Sequence, residues 1–149
     1  MPNIYIAAEH CGINLKQFLL ENSKKYNLNI TDIYPINNPD DDYPDVAKLI
    51  AKKLLGNPND FGVVICGSGQ GIAMSANRFL HIRCAIPLSV EETIKTREHN
   101  NTNIVSFSAN INPNLALEII NTLIISPVST VPRHTRRVNK MSDKEFSVL

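Results

Sequence analysis

Residues 61–71 have the sequence FGVVICGSGQG, in which a mostly apolar run leads directly into three closely spaced glycines. A nearly continuous apolar run is typical of a strand that is covered on both faces, as in a parallel sheet. The residues after Gly71 have helical spacing as far as Phe79. The stretch therefore predicts a strand, a glycine-rich turn and a helix, which is the repeating unit of an α/β fold.

The same alternation of strand and helix extends over most of the chain. Strands are predicted at 4–8, 29–34, 61–66, 82–87 and 103–107. Besides the helix after Gly71, helices are predicted at 15–26, 44–54, 90–99 and 115–125. Strands joined by helices form right-handed crossovers and lie parallel. We therefore expect an α/β fold, a three-layer αβα sandwich around a Rossmann-like parallel sheet of five strands.

The composition is typical of one globular domain. The chain has 149 residues, of which 43% are hydrophobic and 19% charged, so we expect a single domain over 1–149. A net charge of +1 provides no broad field for nucleic acid or a membrane surface, and we expect neither as a partner. The N-terminus shows no signal peptide or membrane span. Three irregularly spaced cysteines favour a reducing compartment, so we expect a cytoplasmic protein.

The glycine turn after Cys66 is the strongest functional signal. Its backbone N–H groups can bind a phosphate or an oxyanion, and their field favours a thiolate at Cys66. A tight turn after an inert core cysteine explains the same motif equally well. No Lys-Ser or Lys-Thr follows Gly71, which excludes a Walker A loop. Three observations disfavour a dinucleotide site. The glycine spacing is GxGxG, the motif follows the third strand, and Pro87 to Ser89 stand where a ribose-binding acid would be expected.

Other polar residues follow the predicted strands. Ligands of open α/β sheets bind beyond the carboxyl ends of the strands, so we expect four such places to converge. They are Glu9 with His10, the turn after Cys66, the segment at His99 and Asn100, and the segment around Asn110. His99 could exchange protons near neutral pH, although a polar helix end is an equal interpretation of that segment.

A basic cluster stands near the C-terminus. We predict an irregular arm over 127–140 that leads to a short terminal helix, and we expect the arm, about 127–149, to pack on a partner subunit. Arg133 and Arg137 could bind a phosphate bidentately, although a solvated basic surface is the commoner meaning of such a cluster. Its members are Arg133, His134, Arg136, Arg137 and Lys140.

Taken together, these motifs resemble the ribose-5-phosphate isomerase B family, which also contains the galactose-6-phosphate isomerase subunits. The resemblance spans nearly the whole chain. The residues that carry it are Glu9 to Gly12, Leu15, Lys16, Asp42 to Pro44, Ile65 to Ile72, Ala76 to Arg78, Ile82, Arg83, Arg97 to Asn103, Arg133, His134, Arg137 and Val138.

The resemblance implies an aldose–ketose isomerase of the pentose phosphate pathway that interconverts ribose 5-phosphate and ribulose 5-phosphate without metal or organic cofactor. Cys66 matches the base that forms an enediolate, Ser68 the hydroxyl that moves a proton between the oxygens, and His99 the residue that opens the furanose ring. The other implied contacts are the N–H groups of Gly67, Gly69 and Gly71 for the oxyanion, Asn100 for sugar hydroxyls, Tyr43 for the sugar pocket, and His10, Arg133 and Arg137 for the phosphate. The family builds each site from two subunits, which implies a homodimer and possibly a tetramer.

Two departures from the family pattern keep alternatives open. Glu9 stands where the family has Asp in a catalytic position, and Asn110 stands where it has an Arg that reaches the phosphate. The alternatives are an isomerase of galactose 6-phosphate or allose 6-phosphate and a phosphosugar-binding protein without turnover, with a nucleotide-binding module third. Mere binding would require neither the thiolate of Cys66 nor the hydroxyl of Ser68. We assign Cys11 and Cys84 to packing.

Overall fold

The computed structural model of the chain describes residues 1–148. Five strands form one parallel sheet in the order β2-β1-β3-β5-β4, which confirms the predicted fold class. The strands are β1 Ile4–Ala8, β2 Ile30–Asp32, β3 Phe61–Cys66, β4 Cys84–Ala85 and β5 Ile104–Ser108. The helices are α1 Ile13–Asn22, α2 Tyr43–Leu54, α3 Gln70–Ala76, α4 Val90–Asn100, α5 Pro113–Ile125 and α6 Pro132–Met141.

The hydrophobic core lies on both faces of the sheet because successive strand residues point to opposite sides. On one face, Val63 and Ile65 of β3 belong to a cluster with residues of α1 and α5. On the other face, Val64 and Cys66 belong to a cluster with residues of α2 and α3. All six residues of β3 are buried, as the apolar run predicts for a strand covered on both sides.

The strand order creates a crevice between β1 and β3. The chain passes from β1 to β2 on one side and then returns to place β3 on the other side of β1. Such a reversal is where open α/β sheets bind ligands, beyond the carboxyl ends of the two strands. The segments that leave β1 and β3 there begin at Glu9 and Gly67.

Helix α4 is delimited by two local signals. The side chain of Ser89 accepts a hydrogen bond from the N–H of Glu92 at 3.1 Å and caps its first turn. Asn101 has a φ of 50°, the left-handed conformation that ends helices. His99 and Asn100 therefore occupy the last turn of α4.

The C-terminal region differs from its prediction. Residues 127–140 do not form an irregular arm throughout, because α6 begins at Pro132 and a 3-10 helix follows at Lys144–Ser147. Proline suits the first turn of a helix, and the buried His134 is turned towards α4. The N–H of Ser129 also donates to the carbonyl of Glu98 at 3.0 Å. The early part of the predicted arm thus packs on its own chain, and packing on a second subunit stays a prediction.

Three smaller differences concern element lengths. β4 is only Cys84–Ala85 instead of 82–87, β2 is Ile30–Asp32 instead of 29–34, and the predicted first helix divides into α1 and a 3-10 helix at Ser23–Tyr26. Both short strands lie at the edges of the sheet, where pairing on one side only limits their length. Within residues 1–148, no helix combines the length and apolar character required to cross a bilayer.

Candidate active site

The glycine turn aims a backbone N–H at the thiol of Cys66. The residue is 4% exposed, and its Sγ accepts a hydrogen bond from the N–H of Gly69 at 3.2 Å. Gly69 has a φ of 76°, and a Cβ there would lie 2.8 Å from backbone atoms of Phe107 and Ser108. The Ser106 hydroxyl also donates to the carbonyl of Gly69 at 2.6 Å. The turn is therefore fixed by β5 in a conformation that directs the N–H of Gly69 at Sγ of Cys66.

Glu9 and His10 lie next to this turn, as the strand-end argument predicts. The N–H of Glu9 donates to the carbonyl of Ile65 at 3.0 Å, which ties the end of β1 to β3. The Glu9 side chain, 7% exposed, folds back so that Oε1 accepts from the N–H of Cys11 at 2.8 Å. Its Oε2 lies 3.1 Å from Nδ1 of His10. The extra methylene of Glu9 relative to Asp is thus accommodated beside the crevice.

Asp41 is a member of this region that the sequence did not single out. Its Oδ1 accepts from the N–H of His10 at 3.1 Å and lies 2.7 Å from Nδ1 of His10. The hydrogen bond with Asp41 is the main reason that the pKa of His10 is raised, although burial opposes it. Burial would raise the pKa of Asp41, but the hydrogen bonds from His10 outweigh it and the pKa of that carboxyl is lowered. The pair therefore favours a protonated His10 beside an ionised Asp41.

Tyr43 and Ser68 complete the region. A Cβ on Gly71 would lie 2.6 Å from Cζ of Tyr43, so the glycine is needed for the phenol ring to lie against the turn. Ser68 is exposed and lines a cavity of about 310 Å³ together with Ser108 and Asn110. We call Glu9, His10, Asp41, Tyr43, Cys66 and Ser68 the thiol edge.

Three of the four predicted places thus converge, because Asn110 shares the cavity of Ser68. The expected convergence of His99 and Asn100 with them is wrong within one chain. Arg97, in the same last turn of α4, lies 4.8 Å from the ring of Phe61, which is the first residue of β3, whereas Cys66 is the last. Five residues of strand separate these ends by roughly 16 Å. A crossover helix runs antiparallel to the strands, so its last turn reaches their amino ends.

His99 instead belongs to a second polar region with α6. Its ring lies 4.3 Å from the ring of His134, centroid to centroid, with an interplanar angle of 34°. Nδ1 of His134 lies 2.9 Å from the hydroxyl of Ser129. Burial, and then the neighbouring charges of His99 and Arg133, lower the pKa of His134. His134 was noted in the sequence only as part of the basic cluster, and its contact with His99 required the unpredicted helix α6.

Arg133 and Arg137 are exposed on α6. Neither takes part in the ion pairs found among residues 1–148. Guanidinium groups without carboxylate partners keep their donors for an external anion such as a phosphate. We call His99, Asn100, Arg133, His134 and Arg137 the cationic face.

The three cysteines have different surroundings, and all are free. Cys66 lies in the thiol edge, and burial raises the pKa of the Cys84 thiol, as expected for a packing residue. The assignment of Cys11 to packing is wrong, because Cys11 is exposed in the 3-10 turn His10–Gly12. A Cβ on Gly67 would lie 3.9 Å from its Sγ, so the Cys11 thiol borders the glycine turn.

Comparison with known proteins finds relatives of this chain in sequence and in overall fold. The sequence model of the family described as Ribose/Galactose Isomerase matches residues 4–141. Ribose-5-phosphate isomerase B of Mycobacterium tuberculosis is 31% identical over 144 residues, which are 95% of this chain and 89% of the relative.

Solved structures give the same result. A crystal structure of ribose-5-phosphate isomerase B from Mycoplasma genitalium with bound ribulose-5-phosphate has a TM-score of 0.84 and 32% identity, and covers 94% of this chain and 93% of its own. The type B ribose 5-phosphate isomerase of Trypanosoma cruzi has a TM-score of 0.87 and 28% identity over 95% of each chain. The family match over most of the chain, together with a relative of more than 30% identity, shows that this chain belongs to the ribose/galactose isomerase family.

Proposed function

We propose that this protein interconverts ribose 5-phosphate and ribulose 5-phosphate, with Cys66 as the base, as a step of the pentose phosphate pathway. The observation that carries the proposal is the hydrogen bond from the N–H of Gly69 to Sγ of Cys66. A buried thiol that receives a backbone donor at the end of a strand is suited to act as a thiolate, whereas a purely structural cysteine needs no donor. The ribulose-5-phosphate in the Mycoplasma genitalium relative supports the substrate class.

The chemistry is a proton transfer between adjacent carbons. The thiolate of Cys66 removes the proton from the carbon next to the carbonyl, the electron pair forms an enediolate, and the proton returns to the neighbouring carbon. Ser68, exposed beside the turn, moves a proton between the two oxygens. The N–H of Gly69 already donates to Cys66, so stabilisation of the oxyanion falls chiefly to the N–H groups of Gly67 and Gly71.

The remaining functions come from the cationic face of a second copy of the chain. Cys66 and His99 lie at opposite ends of the sheet, so one chain cannot apply both to one sugar. In a homodimer, His99 of one copy opens the furanose ring at the thiol edge of the other, and Asn100 holds sugar hydroxyls. Arg133 and Arg137 then bind the phosphate together with His10, whose raised pKa favours its cationic form.

This arrangement treats residues 1–149 as one isomerase domain whose C-terminal segment, from about 127, meets the second copy. Glu9 lies at the entrance of the crevice, where its carboxylate contacts His10, and Tyr43 lines the sugar pocket. The enzyme works in the cytoplasm, where a reducing environment keeps Cys66 as a free thiol.

The test is conversion of ribose 5-phosphate by purified protein under reducing conditions without added metal. Cys66→Ala is expected to lower turnover by roughly 10²- to 10⁴-fold, the usual contribution of a positioned base, while substrate still binds. Cys84→Ala removes a thiol far from the turn and serves as the matched control, with turnover close to wild type. Unchanged turnover in Cys66→Ala would refute the role of the base. Binding without conversion by wild type would refute the substrate and direct the assay to galactose 6-phosphate and allose 6-phosphate.

A further inference from the structure

Three different metal-binding side chains meet in the turn after β1. A carboxylate oxygen of Glu9, a ring nitrogen of His10 and Sγ of Cys11 all lie within 4.8 Å of one another. Over residues 1–148 this is the one group of three or more such ligands. Consecutive residues of a strand would point to opposite sides, but the 3-10 turn His10–Gly12 brings these three together.

The charge around this group favours a cation. The Glu9 side chain is 7% exposed and the Asp41 side chain 5% exposed, so two carboxylates are buried beside it. Asp41 directs Oδ1 at the ring of His10, and the Tyr34 hydroxyl also faces this carboxylate, although its buried Oδ2 receives no hydrogen bond of ordinary length from the described residues. Even with His10 protonated, the two buried carboxylates are matched by one imidazolium, so negative charge remains for a cation.

The chemistry of the three ligands indicates which cation. A thiolate and an imidazole are soft or borderline ligands that bind zinc well, whereas magnesium and calcium prefer sites made of oxygen alone. A carboxylate that orients a metal-binding histidine through its second nitrogen is a common outer partner of zinc. Asp41 contacts Nδ1 of His10, so it stands in that relation when Nε2 of His10 binds the ion.

We propose that Glu9, His10 and Cys11 form a binding site for a divalent cation of the zinc class, with Asp41 as the positioning residue. Three protein ligands leave one coordination position open to water. Binding releases the thiol proton of Cys11 and, where His10 is protonated, one ring proton of His10 to solvent as the sulfur–metal and nitrogen–metal bonds form. Because Cys11 is exposed, an ion can reach the site from solution.

The site has a consequence for activity that rests on the proposed function. The ion would occupy Glu9 and His10 at the entrance of the crevice, and the thiol of Cys11 borders Gly67 of the catalytic turn. Zinc bound there excludes the sugar phosphate, so the ion is an inhibitor of the isomerase and has no part in its chemistry.

The experiment measures zinc binding to the full chain, freed of metal, by competition with a chromophoric chelator. Wild type is expected to bind one ion per chain, and Cys11→Ala and His10→Gln are expected to bind at least ~10-fold more weakly. Cys84→Ala is the matched thiol control and binds as wild type. Cobalt(II) adds a spectroscopic test, because a thiolate ligand produces a charge-transfer absorption that Cys11→Ala must lose.

Two results would overturn the site. Equal zinc affinity in wild type and Cys11→Ala would exclude the Cys11 thiol as a ligand. If Cys66→Ala loses zinc binding while Cys11→Ala still binds zinc, the ion belongs to the catalytic turn instead. Activity is a separate readout. Zinc should inhibit wild type at concentrations that leave Cys11→Ala active, whereas inactivity of wild type without zinc would refute the proposed function and leave the binding result standing.

Discussion

The thiol edge and the cationic face differ in how far their polar groups are paired within one chain. At the thiol edge, Cys66 receives the N–H of Gly69, and His10 is held by Asp41 through two contacts. On the cationic face, Arg133 and Arg137 are exposed and form no ion pair with the described residues. The first region is arranged by contacts within the chain, whereas the second presents charge that no carboxylate of the described residues pairs.

Under the proposed function, the two regions have complementary roles. A phosphate beside the carboxylates of Glu9 and Asp41 would need more positive charge than His10 supplies, and a phosphate on the cationic face alone would lie far from the thiol. Together the two regions would match a sugar phosphate, whose charged end and reacting carbons lie a few bonds apart.

The strongest test of the comparison mixes two nearly inactive variants. Cys66→Ala removes the thiol from the thiol edge, and His99→Ala removes the imidazole from the cationic face. A homodimer of either variant therefore contains no complete site. Unfolding and refolding an equal mixture should restore up to about a quarter of wild-type turnover, since half of the dimers are mixed and each has one intact site of two. Mixing either variant with the double variant is the control and should restore nothing. No recovery from the first mixture would show that both residues act from the same chain.

The rigidity of the thiol edge can be tested with two glycines. Gly69→Ala should lower the free energy of unfolding by about 2–5 kcal/mol, because a positive φ is strained and the new Cβ meets the backbone of β5. Gly56 has nearly the same φ, 78° against 76°, but nothing within 4 Å of its added Cβ. Gly56→Ala should therefore cost only about 1–2 kcal/mol. Equal losses in chemical denaturation would mean that β5 does not constrain the turn.

The free charge of the cationic face predicts an effect on substrate binding. Arg137→Ala removes a charge-assisted donor and should raise KM for ribose 5-phosphate about 10- to 100-fold, with a smaller change in kcat. Lys24→Ala removes an exposed charge from the segment after α1 and is the control for net charge. A KM close to that of wild type would show that Arg137 does not bind the phosphate.

The smallest expected effect concerns pH and stability. The pKa of His134 in the folded chain lies below its ordinary value of 6.5. Between these two pKa values the unfolded chain binds more protons than the folded chain. The free energy of unfolding should therefore be highest above pH 6.5 and should fall as the pH drops from 6.5 towards the folded pKa. Thermal unfolding should show that His134→Gln loses less stability than wild type between pH 8 and pH values below 6.5. At pH 8 the His134 ring is neutral, so the difference in stability between wild type and His134→Gln at that pH measures only the contacts that the substitution removes. Equal losses on acidification would exclude His134 as the titrating group.

Most of the fold could be predicted because its signals are local. The continuous apolar run of β3 and the cap at Ser89 each fix an element through its own neighbours. α6 was missed because four of its ten residues are Arg or Lys, and because its one buried residue, His134, packs on α4. Edge strands such as β4 were predicted too long because nothing in their apolar residues shows that pairing stops after Ala85.

The candidate site was predictable where it follows a strand. Glu9 and His10 could be placed with Cys66 because the carboxyl ends of neighbouring parallel strands share an edge. His99 was misplaced because the same argument was applied to the end of a helix, which points the other way. Asp41 was not found because an acidic turn is an ordinary loop in sequence, and its contact with His10 spans 31 positions of the chain.

The placement of His99 at the far end of the sheet from Cys66 has a kinetic consequence. If a second copy supplies His99 to each site, as proposed, a folded chain that has not met another copy has no complete catalytic centre. Highly diluted protein is then expected to be inactive, and activity is expected to rise with the square of chain concentration until assembly saturates. Under the proposed function, the amount of the chain would therefore control its specific activity.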